Sequence, residues 1–137
     1  MEENAVLVLE GFLGVKLPED YRRYLLEDGD KRPEKNVFLI PGQGDDAINR
    51  FFSLTSKNKE ETIPYQLNQY KNRMPEEMLP IGNDAGGNII ALSTKGKKRG
   101  GIFFWDHDRE ADQEPQPYYE NLILISDNFS SFLEQLK

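Results

Sequence analysis

The stretch from Leu79 to Asp108 constrains this chain more than any other. It runs Leu79-Pro80-Ile81-Gly82-Asn83-Asp84-Ala85-Gly86-Gly87-Asn88-Ile89-Ile90-Ala91-Leu92, passes a basic glycine turn, and resumes as Gly101-Ile102-Phe103-Phe104-Trp105-Asp106-His107-Asp108. Short apolar runs of strand type alternate there with turn residues and acids. The block also holds the only cluster of chemically suggestive side chains. It is therefore either an acid-lined site or a hairpin whose loops are acidic.

The flanking sequence settles the fold class. Val6, Leu9 and Leu13 lie at i, i+3 and i+7 of a short helix over residues 2–13 that Gly14 stops. A second helix has Pro18 near its first turn, Glu19 and Asp20 where the helix dipole favours negative charge, Tyr21, Tyr24 and Leu25 as its inner stripe, and Gly29 past its end. A polar loop over Lys31 to Asn36 leads to a strand at Val37 to Ile40, and the turn-rich Pro41 to Asp46 leads to a strand at Ile48 to Leu54. Pro64 confines the next helix mainly to Tyr65–Lys71, and Pro75 and Pro80 bracket a short turn.

Three strands follow, Asn88 to Thr94, Gly101 to Trp105 and Asn121 to Ile125, whose nearly continuous apolar character predicts central positions. Asp106 to Pro117 is a long acidic, proline-rich loop. Phe129, Phe132, Leu133 and Leu136 mark a closing helix over 127–137, with Ser126 or Asp127 as its N-cap. The order of elements predicts an α+β single domain over residues 1–137, with a mainly antiparallel β-sheet and helices packed against it.

Charge and composition bound the partners. Acids outnumber bases 24 to 17, a net charge of -7, so a nucleic-acid surface is disfavoured and a basic protein partner favoured. The chain has no cysteine, which excludes disulfides, thiolate metal sites and a cysteine nucleophile. The acidic start Met1-Glu2-Glu3-Asn4 lacks the basic region of a secretory signal, and no run approaches the roughly 20 apolar residues of a membrane span. The expectation is a cytoplasmic protein with no membrane and no nucleic-acid role.

The chemical motifs are weak as catalysts. Gly82 to Gly87 is followed by a strand and lacks both the GxGxxG order and a Lys-Ser/Thr pair, so it is a turn and not a phosphate cradle. Asp106, His107, Asp108 and Glu110 offer metal-type donors, but strand alternation sends His107 to the face opposite Asp106 and Asp108. His107 is the only histidine, and no serine stands in a Gly-x-Ser-x-Gly setting. Phe103, Phe104 and Trp105 belong to a core strand, and Lys95 to Arg99 keeps a hairpin tip solvated. No catalytic group, metal or cofactor is expected.

Taken in order, five groups of residues resemble the motifs of the SUKH superfamily, which includes the yeast Smi/Knr-type cell-wall synthesis regulators and many bacterial proteins. They are Leu13-Gly14-Val15-Lys16-Leu17-Pro18-Glu19-Asp20-Tyr21 with Tyr24-Leu25; Phe51-Phe52-Ser53-Leu54; Leu79-Pro80-Ile81-Gly82 with Gly87-Asn88; Gly101 to Asp108; and Phe129 with Phe132-Leu133. Asp28-Gly29-Asp30 departs from the Asn-Gly or Gly-Gly turn expected there. The resemblance implies an α+β domain and an immunity protein that blocks a cognate toxin domain, often a nuclease, stoichiometrically and without catalysis. The alternative it leaves is a regulatory or small-ligand-binding module. An acidic inhibitor steers quickly onto a basic nuclease, so the partner surface is expected on Asp45, Asp46, Asp84, Asp106, Asp108 and Glu110.

Overall fold

The computed structural model describes residues 2–28, 34–107 and 121–137. The first helix, α1 (Glu2–Leu13), buries Val6 and Leu9 and lays Leu13 on the core, as its spacing predicts. Gly14 ends it in a left-handed conformation, φ +75, with its N–H on the Glu10 carbonyl at 2.9 Å. Helix α2 (Glu19–Asp28) turns Tyr21 and Leu25 inward. Glu10, almost wholly buried, ties the two helices together: its carboxylate accepts from the Leu17 N–H at 2.8 Å and lies 3.4 Å from Arg22 Nε. A buried charge persists only when it is paired in this way.

Among the described residues six strands follow in a meander, β1 (Val37–Ile40), β2 (Gly44–Phe51), β3 (Met78–Asp84), β4 (Ile89–Ser93), β5 (Ile102–Trp105) and β6 (Leu122–Ser126), each antiparallel to the next. Between β2 and β3 lie a 3-10 turn (Lys59–Glu61) and helix α3 (Ile63–Gln69), and α4 (Phe129–Gln135) closes the chain. In a flat sheet β1 and β5 would stand four spacings apart, roughly 19 Å. The rings of Phe38 on β1 and Phe104 on β5 are 6.2 Å apart, so the sheet curls until its first strand meets its fifth across the core.

Helix α4 bridges the open seam of this curl. Phe132 packs on Phe38 at 5.8 Å, and Phe129 on Tyr21 and Tyr24 at 5.0 and 4.9 Å. The backbones of Lys137 and Val37 then exchange hydrogen bonds at 3.0 and 3.1 Å, which covers the start of the β1 edge. Because neighbouring residues on a strand face opposite ways, Trp105 leaves the face that Phe104 fills. It is fully buried against Tyr70 at the end of α3, with ring centroids 5.3 Å apart. Helices therefore cover both faces. Among the described residues no helix is long and apolar enough to cross a membrane.

The α+β expectation holds, while several local features differ. Pro80, expected to close the turn that Pro75 opens, and Gly82, expected to open the turn to Gly87, both lie within β3. Pro80 sits beyond the part of β3 that pairs with β2 and beside a bulge, where a missing N–H breaks no ladder. Strand β2 begins at Gly44, so Asp45 and Asp46 are strand residues. Helix α3 starts two residues before Tyr65, because Pro64 occupies its first turn, where no N–H is needed, and Thr62 caps it. Among the described residues β6 is an edge strand and not a central one, half-buried throughout, and Asn128 takes the N-cap of α4. Most of the expected loop after Asp106 lies outside the described residues.

Candidate functional site

The register gathers the acids at one end of the sheet. Ile48 of β2 stands opposite Asp84, Asn83 opposite Ile89, and Ile89 opposite Trp105. The start of β2, the β3–β4 turn and the end of β5 therefore form one rim, which carries Asp45, Asp46, Asp84 and Asp106. Asp108 and Glu110 lie outside the described residues.

The four acids have different environments. Asp84 is only 5% exposed and accepts from the N–H of Gly86 at 2.9 Å and of Asn88 at 2.8 Å, while its other oxygen accepts from Asn88 Nδ2 at 2.8 Å. It is the organiser of the β3–β4 turn, and what it offers a partner is the shape of that turn. Asn88 extends the network, accepting the His107 N–H on Oδ1 at 3.0 Å. Gly87 completes it, since its φ of +91 suits glycine and the His107 ring packs over it. Asp45 is exposed, 3.8 Å from Lys137 Nζ. Asp106 is half-buried, its backbone joined to Asn121 in both directions at 3.0 and 3.2 Å.

The carboxyl groups of Asp46 and Asp84 share a hydrogen bond. Burial, then the hydrogen bond to Asp84, push the Asp46 carboxyl up to about 6, with the Ala47 N–H pulling the other way. Burial alone would raise Asp84 too, but the bonds from Asp46, Asn88 and Gly86 outweigh it and hold that carboxyl below its usual value. The folded chain keeps the Asp46 proton from about pH 4, where the unfolded chain loses it, up to about pH 6. Stability from Asp46 is thus lost as pH rises through 6, whereas that from Asp84 is present above about 4 and lost in stronger acid. Asp46→Asn keeps a donor for Asp84 and has nothing to titrate. Its urea midpoint should rise relative to the parent between about pH 5 and pH 8, and equal changes in both proteins would contradict the pairing.

The opposite end of the sheet is basic. The β4–β5 hairpin carries Lys95, Lys97, Lys98 and Arg99, with Lys95 Nζ 3.4 Å from Glu76 and Arg99 Nη2 donating to the Lys16 carbonyl at 2.9 Å. This tip is therefore also a strut to the α1–α2 connection. Among the described residues no three His, Asp or Glu side chains stand close enough to hold a metal ion. Strand β5 ends at Trp105, so strand alternation no longer sets the directions of Asp106 and His107.

A family model described as the SMI1/KNR4 family (SUKH-1) matches residues 2–135. The chain belongs to this family. It is also 27% identical over 148 aligned residues, covering 93% of its own length and 70% of the relative's, to a Bacillus subtilis (strain 168) protein described as the SPbeta prophage-derived uncharacterized protein YokK.

The residues that carry the resemblance to the SMI1/KNR4 family do structural work in this fold. Leu17, Tyr21 and Leu25 anchor α2; Phe51 ends β2 and Phe52 follows it, both in the core; Leu79, Ile81 and Gly82 build β3; Phe129 and Phe132 seat α4. Sequence reasoning missed Asn88 as the link between the β3–β4 turn and His107. The signal was present, since an acid four residues before an asparagine, with glycines between, is a turn closed by its own side chains.

Proposed function

We propose that this chain is an immunity protein: it binds one cognate toxin domain of a polymorphic or contact-dependent system and blocks it stoichiometrically, with no catalysis of its own. Membership of the SMI1/KNR4 family along nearly the whole chain carries this reading. The prophage origin of the Bacillus subtilis relative is in keeping with a gene that travels with its target as a pair. The acid rim supports it as well, because an acidic end on a chain of charge -7 draws in a basic enzyme and orients it.

In this reading the contact runs over Asp45, Asp46, Asp106, Asp108 and Glu110, with Asp84 shaping the turn between them. The protein works in the cytoplasm. Expressed beside the toxic product of the adjacent gene, the chain should restore growth, and the purified pair should form a one-to-one complex. Reversing the charge of Asp45, Asp106, Asp108 and Glu110 together should weaken that complex by at least about 2 kcal/mol, roughly 30-fold in Kd. Persistent toxicity beside the intact chain would remove the immunity reading. A full rescue by the charge-reversed chain with unchanged affinity would move the interface elsewhere.

A further inference from the structure

We propose that the outer face of α1 is the contact between two copies of this chain, packed antiparallel across a two-fold axis. Three large apolar side chains stand in solvent on this helix: Leu7 at 52%, Val8 at 73% and Phe12 at 78% exposure. They form one stripe, because residues 8 and 12 are one turn apart and Leu7 lies one turn before Gly11. Gly11 is exposed within the stripe, with open space where a Cβ would project. Val6 and Leu9 already hold α1 to the core from its other side, so the stripe adds nothing to the fold of a single chain. Among the described residues Leu39 is the one other large apolar side chain this exposed, which makes α1 the site of the concentration.

Charge selects the occupant. A helix that lies on a lipid surface carries lysine and arginine on its polar face, and residues 2–13 contain neither. A second copy fits instead. Glu3 is exposed at the N-terminal end of the helix, and Lys16 is exposed just past its C-terminal end, where the Arg99 guanidinium is also fixed by its bond to the Lys16 carbonyl. Antiparallel packing sets Glu3 of each copy beside Lys16 and Arg99 of the other, twice by symmetry, whereas parallel packing sets like charges together. The midpoint of the stripe, Leu7 to Phe12, and the midpoint of Glu3 to Lys16 both fall between residues 9 and 10. An axis through the stripe therefore also brings the oppositely charged ends of the two helices toward each other. This contact is separate from the acid rim and does not depend on the function proposed above.

Sedimentation velocity on the purified chain from about 1 to about 300 μM tests it, with a micromolar Kd expected for a one-helix contact at the small end of interface sizes. Val8→Asp and Phe12→Asp change side chains that the folded monomer leaves in water, so circular dichroism should be unaltered while Kd rises at least about 30-fold. Glu3→Lys should weaken the dimer about 3- to 10-fold, and adding Lys16→Glu should restore it, a swap that a merely sticky helix would not obey. A wild-type chain that stays monomeric throughout, or a dimer indifferent to both aspartates, overturns the proposal. So does a monomer that binds vesicles of phosphatidylcholine and phosphatidylglycerol through this stripe, or one that uses it for a different protein.

Discussion

Trp105→Ala will lower the free energy of unfolding by about 3–5 kcal/mol, the largest loss expected from any single truncation in this fold. The indole is fully buried where β5 is flanked by β4 and β6, opposite Ile89 on one side and Leu122 on the other. Tyr70 packs on it edge-on, and the Arg73 guanidinium lies 4.7 Å from the Tyr70 centroid and 5.7 Å from that of Trp105. Removing the ring leaves a cavity beneath both. A domain of this size has roughly 5–15 kcal/mol in total, so the midpoint of thermal unfolding should fall by roughly 10–20 °C. Trp105→Phe should lose less than half as much, because the indole N–H has no hydrogen-bond partner among the described residues and the smaller ring orphans no acceptor. As this is the only tryptophan, far-UV circular dichroism in urea is the suitable probe. A loss below about 1 kcal/mol for the alanine variant would show that the indole is not the support of Tyr70 and Arg73.

The sequence made some elements legible and hid others for identifiable reasons. Helices α1 and α2 and strands β1, β4 and β5 follow from periodicity and punctuation, because in each the residues that pattern the element are also the ones the core takes up. Strand β3 was hidden because Pro80 and Gly82 are local breakers whose places are licensed only by neighbours far along the chain. β2 stops short of Pro80, and Arg50 crowds Gly82. Three consecutive meander strands share similar apolar character, yet only topology distinguishes the central β4 from the edge β6.

The candidate site was legible in composition and not in role. Asp45, Asp46, Asp84 and Asp106 do meet at one rim, but nothing local says that Asp84 is withdrawn into its turn while Asp45 is left in water. That division comes from the Asp46–Asp84–Asn88–His107 chain of bonds, which joins three strands. The apolar stripe of α1 was overlooked for the opposite reason: the helical pattern accounts for Val6, Leu9 and Leu13 and leaves Leu7, Val8 and Phe12 without an explanation inside one chain.

Gly82→Ala will be the most damaging glycine substitution in the sheet, at about 2–3 kcal/mol, although it adds a single methyl group. A Cβ at Gly82 would stand 2.8 Å from the Arg50 carbonyl oxygen and 3.3 Å from Cδ1 of Phe51. The first of these is backbone and cannot rotate away. Arg50 is itself held, with Nη1 on Glu61 Oε1 at 2.8 Å, and both strands already carry a bulge beside this point. Relief therefore requires β2 to move off β3 at the Phe51–Gly82 pair. That movement drags Phe51 from the aromatic cluster where it meets Tyr24, Phe129 and Phe132 at 5.7, 6.0 and 6.4 Å. The matched control is Gly86→Ala, whose added carbon meets the Asp84 carboxylate at an ordinary 3.6 Å and which keeps the N–H that Asp84 accepts. Urea unfolding should place Gly86→Ala within about 0.5 kcal/mol of the parent. Equal losses in the two variants would mean that Gly82 is needed for chain flexibility and not for the close approach of β2.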